Sequence, residues 1–159
     1  MTTTVGGASA GPATAPAHLG RRLALLGAVL VVTTGLPFIF LREDGPRWYH
    51  LVFHLIGITV CAIALVVLRE VRRAAASTTL RVMTWVSTVA VTGWLIGHLG
   101  ELVTVLTHGG AHADEDLFQH PVHTFFATIA VPSWMATVLS VLVLLITAGI
   151  QAISRRVRR

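Results

Sequence analysis

The chain has no lysine, a single cysteine and few charges of either sign. Only 12% of its 159 residues are charged, while 54% are hydrophobic. A soluble domain carries about 25% charged residues. Half that share, together with long apolar runs, excludes an ordinary soluble fold and selects the membrane class. The lone Cys61 can form no internal disulfide and no cysteine-based zinc site. Within an apolar run it reads as a small buried hydrophobe. No glycine-rich phosphate loop occurs, and Ser133 and Ser140 have no base and carboxylate beside them, so nucleophilic catalysis finds no support. The length leaves no room for a soluble catalytic domain beside a membrane part.

The basic residues, twelve arginines, give a net charge of +5. Most sit just outside apolar segments, which is a topology signal and not a nucleic-acid surface. Residues 1–20, rich in Thr, Ala, Gly and Pro, read as a disordered cytoplasmic tail. Residues 21–153 read as a four-helix transmembrane domain, with helices expected at about 22–41, 49–68, 80–107 and 121–152. Residues 154–159 form a basic cytoplasmic end. Arg21 and Arg22 before the first run also suit a signal peptide. The run is about 19 residues long, however, and no A-x-A site follows it, which fits an uncleaved span. Pro37 and Gly35 are expected to kink its second half.

Ten of the twelve arginines fall on one side of this arrangement, and only Arg42 and Arg47 on the other. The positive-inside rule then puts both termini in the cytoplasm. The fold expected is all-α, an integral membrane antiparallel four-helix bundle, N-in and C-in, in the cell (plasma) membrane.

Seven of the eight histidines lie on the opposite, outer side: His50, His54, His98, His108, His112, His120 and His123. The topology comes from the arginines alone, so this one-sidedness is independent evidence of a site. At 1.5 Å per residue, His54 and Glu101 lie about 9 Å below the outer boundary and His98 about 13 Å below it, with His123 just under the surface. Spacing also aligns them. His50 and His54 are one turn apart, His98 and Glu101 share a stripe, and so do His120 and His123. His108 and His112, in or beside an acidic Gly-rich loop, read as solvated.

A carboxylate inside a membrane is a functional-site candidate. Glu101 is expected to be protonated, paired with a histidine or bound to a metal; the plainer reading is a hydrogen bond that fixes helix packing. Imidazole is the commonest metal ligand, and nitrogen with one carboxylate suits iron, copper or zinc and not calcium. The metal set expected is His50, His54, His98, Glu101, His120 and His123. The specific version placed first is a b-type haem, with His54 and either His98 or His123 as axial ligands, exchanging electrons with quinone or a partner protein. Gly93, Gly97 and Gly100 around His98 serve either close helix packing or a flat cofactor. Two alternatives belong to other classes. One is proton or transition-metal-ion transport or sensing at the same site, against which the inner half looks dry. The other is an accessory subunit of a larger membrane complex or a homo-oligomer. The bilayer itself is the expected surrounding, with no nucleic acid.

Overall fold

Backbone polar groups in an apolar setting must bond within their own segment, and apolar runs of this length can do so only as helices. The computed structural model describes residues 15–40, 47–108 and 120–158. Among them are four helices: α1 Ala15–Phe40, α2 Arg47–Ala74, α3 Thr78–His108 and α4 Pro121–Val157. All four are long and apolar enough to cross a membrane. The expected loops at 41–46 and 109–119, with Arg42, His112 and the acidic run Asp114 to Asp116, lie outside the described residues, as does the tail up to residue 14.

The helices run further than the apolar stretches alone suggest. α1 begins inside the segment expected to be tail. α2 continues through Arg72 and Arg73, and α4 through Arg155 and Arg156, each pair forming its helix's last turn. Arginine is a good helix former, and a cation there complements the negative end of the helix dipole.

Exposure follows an inside-out pattern. Val31, Phe38, Val66, Val89, Leu106, Leu139 and Ile150 face outward, while His54, His98, Glu101, Thr84 and Ser87 are buried. α1 packs on α2 and α4, and α3 on α2 and α4, so the helices form a closed ring of neighbours. The tightest seam runs between α3 and α4. A Cβ on Gly93 would meet Ser133, one on Gly97 would come within 2.7 Å of the Ala130 backbone, and one on Gly100 would strike the Phe126 ring. The three glycines therefore serve close approach of the helices.

A second fastening joins α1 to α4. Pro37 has no N–H to give the carbonyl four residues back, which belongs to Thr33. Trp134 of α4 fills that place, its Nε1–H donating to the Thr33 carbonyl at 2.9 Å. The proline expected to kink α1 thus also exposes the acceptor that α4 uses. At the arginine-bearing end, Arg22 pairs with Glu70 at 2.9 Å, and Ser77 caps α3 by accepting the Leu80 N–H at 3.2 Å.

Candidate metal centre

The histidine-bearing end is built by the start of α2, the last turns of α3 and the start of α4. Each helix turns a stripe with buried or half-buried histidine or glutamate toward the others. On α2 that stripe carries His50, His54, Gly57 and Cys61, at the i, i+4, i+7 spacing of one helix face. On α3 it carries Ser87, Val91, Trp94, His98 and Glu101, all buried. On α4 it begins at His123, in the first turn after Pro121.

Four side chains converge there. One ligand atom each from His50, His54, Glu101 and His123 lies within 4.8 Å of the other three. His54 Nε2 is 3.5 Å and His123 Nε2 3.6 Å from the same Glu101 oxygen, Oε2. His123 Nε2 and His50 Nε2 are 3.4 Å apart. Four atoms placed tetrahedrally about one ion at 2.0–2.1 Å would sit about 3.3–3.4 Å from one another. The three edges of 3.4–3.6 Å are therefore close to those of one ion's coordination sphere. His54, Glu101 and His123 are buried, and His50 is half-buried at the rim.

His98, expected among the ligands, stands outside this set. Its Nδ1 is 3.0 Å from His54 Nδ1. A ligating histidine is normally oriented by a hydrogen bond to its other ring nitrogen. With His54 Nε2 turned to the cluster, its Nδ1–H donates to His98 Nδ1, which leaves the hydrogen of His98 on Nε2 (the tautomers are inferred from this geometry). His98 is itself wedged. Trp94 lies 4.7 Å and Phe53 5.0 Å away between ring centroids. A Cβ on Gly57 would land on the His98 ring, so the glycine makes the space that the imidazole fills.

His120 is likewise not one of the four. It is the N-cap of α4, its Nδ1 accepting the Val122 N–H at 3.3 Å, while the neighbouring His123 joins the cluster. The haem version of the expectation fits poorly. An axial pair needs a macrocycle between its imidazoles, yet His54 and His98 bond ring to ring. His54 and His123 instead converge on one carboxylate oxygen. The glycines that would have made room for a flat cofactor are closed by Ser133, Ala130 and Phe126. Gly57, Phe53 and Trp94 were not singled out from the sequence as parts of the site. The available signal was their spacing: Gly57 lies three residues after His54, and Trp94 four before His98.

No protein-family model, no curated protein and no solved structure matches the chain. The chemistry of the cluster therefore rests on its own geometry.

Proposed function

We propose that this is a small multi-pass membrane metalloprotein whose centre is one transition-metal ion held by His50, His54, Glu101 and His123. The observation that carries the reading is Glu101. Its carboxylate is buried, and its near neighbours at 3.5 and 3.6 Å are imidazoles, whose other nitrogens are already engaged in the case of His54. An uncompensated carboxylate in an apolar interior is expensive. A divalent ion at the centre of these donors supplies the missing charge and gives every ligand atom a partner.

Three imidazoles and one carboxylate suit iron or copper, for which the centre is an electron-transfer site, or zinc. The redox reading is placed first because the ligands are fixed by packing: His98 holds His54, and Trp94 and Phe53 hold His98. A rigid site lets an ion change valence with little rearrangement. The non-redox reading, capture or passage of a zinc-like ion, has its support in the near-tetrahedral edges of 3.4–3.6 Å.

The bundle is proposed to be antiparallel. The descending register of Ser133, Ala130 and Phe126 against Gly93, Gly97 and Gly100 supports that reading. The arginine-bearing end is proposed to face the cytoplasm of a plasma-membrane protein, with the metal centre at the opposite face.

Elemental analysis of purified protein tests the centre. About one iron, copper or zinc per chain is expected by simple occupancy of one site, with loss of the ion in His54→Ala and Glu101→Gln. Metal-free protein after expression with all three ions supplied overturns the proposal. An electron paramagnetic resonance signal that disappears on reduction selects the redox reading; stoichiometric zinc selects the other.

A further inference from the structure

Serine and threonine inside apolar helices normally bond the carbonyl one turn back. This chain obeys that rule at Thr34, Thr59, Thr84, Thr88, Thr92 and Thr104. Among the described residues, three buried hydroxyls depart from it. Thr33 Oγ1, Ser87 Oγ and Thr137 Oγ1 are buried with no hydrogen-bond partner, their residues 0%, 0% and 1% exposed.

All three lie on inward stripes. Thr33 shares α1's buried stripe with Leu26, Val29 and Leu36, Ser87 shares α3's with Val91, Trp94 and His98, and Thr137 shares α4's with Ala130, Val141 and Leu144. Their heights are fixed by the contacts between helices. The Trp134–Thr33 bond sets Thr33 beside residue 134, and the Gly93–Ser133 contact puts that level near residue 93 of α3. Continuing the same register places Thr137 about one turn lower, and Ser87 about one turn lower again beside Ser140. Successive steps of three residues are about 4.5 Å along the axis, so hydroxyls that turn toward one another across the bundle are within the reach of one or two bridging waters. The upper end stops about 7.5 Å below His98, whose Nε2 is a further buried atom without a partner. Below lies buried Thr84, and beyond it, past buried Leu80 and Leu144, an open surface hollow of about 450 Å³ lined by Ser77, Gln151, Ser154, Arg155 and Arg158.

We propose that Thr33, Ser87 and Thr137 hold a file of water inside the bundle, and that this file conducts protons between the arginine-bearing end and the region beneath the histidine cluster. Each oxygen accepts one proton and passes on another. Every O–H bond broken is matched by one formed, and as many protons leave as enter, so no oxidant or co-reactant is needed. The inference stands on the hydroxyls and not on the metal centre.

Proton uptake by proteoliposomes with pyranine inside and a potassium diffusion potential tests it. Wild-type vesicles should take up protons faster than protein-free vesicles. Thr137→Val and Ser87→Ala should each slow that excess about tenfold, equivalent to about 1.4 kcal/mol on the barrier. Metal content is measured in the same preparations, so loss of the ion and loss of conduction are read separately. The melting temperature gives a second readout: Thr137→Val should lower it if the hydroxyl holds water and raise it if the hydroxyl is dry and unpaired. Wild-type uptake no faster than protein-free vesicles, or variants that conduct like wild type and melt higher, overturns the proposal.

Discussion

At the scale of single residues, the four donors and the side chain behind them have separable roles. His98 touches no proposed ligand atom of the ion; it fixes the ring of His54 through an Nδ1–Nδ1 contact of 3.0 Å. Removing such a positioning partner typically lowers metal affinity 10–100-fold. His98→Ala should therefore weaken binding by roughly that factor while the chain still takes up its ion when metal is in excess. A competition titration against a chelator measures this, and unchanged affinity would return His98 to a packing role. His120 predicts the reverse. Its Nδ1 caps α4, so His120→Ala should leave affinity alone and cost about 0.5–2 kcal/mol of stability, the usual worth of a cap. A melting curve and the same titration separate the two effects. Spacing along the chain put His98, Glu101 and His120 in one ligand set. What it could not contain was which ring nitrogen each histidine uses, because that is decided by partners on other helices.

At the scale of elements, the seams between helices give the sharpest tests. In Trp134→Phe the Thr33 carbonyl, already without a partner from Pro37, loses the indole N–H. An orphaned buried acceptor costs about 1–3 kcal/mol. Pro37→Ala added to Trp134→Phe restores a backbone donor and should recover part of the loss, which a double-mutant cycle in denaturant would show. Gly97→Ala forces a Cβ to within 2.7 Å of the Ala130 backbone and should destabilise by about 1–3 kcal/mol through overpacking. Gly27 and Gly149 have open space where a Cβ would go, so alanine there is the control that should be tolerated. The four described helices and their approximate place were legible in the apolar runs. Their ends were not, because Arg72, Arg73, Arg155 and Arg156 continue helices that hydropathy alone would stop. The Trp134–Thr33 clasp was equally hidden, since it joins residues 101 apart in sequence.

At the scale of the whole molecule, the chain is polarised. One end carries every described arginine except Arg47, beside an apolar core. The other gathers His50, His54, Glu101 and His123 within 4.8 Å. That asymmetry was readable from composition by position, because charge placement and histidine placement are properties of the sequence. The identity of the four converging donors was not, because it depends on how far α4 descends beside α3, which Gly93, Gly97 and Gly100 set by contact. An ion that binds only the folded bundle should stabilise it by about 2.7 kcal/mol at a hundred times its dissociation constant, so stripping with a chelator should lower the melting temperature and re-addition restore it. X-ray absorption at the metal edge of the purified protein addresses the central claim most directly. The account predicts a first shell of nitrogen and oxygen at about 2.0–2.1 Å, with the outer-shell pattern of three imidazoles. No metal edge, or a shell of sulfur at about 2.3 Å drawn from Cys61, would contradict it.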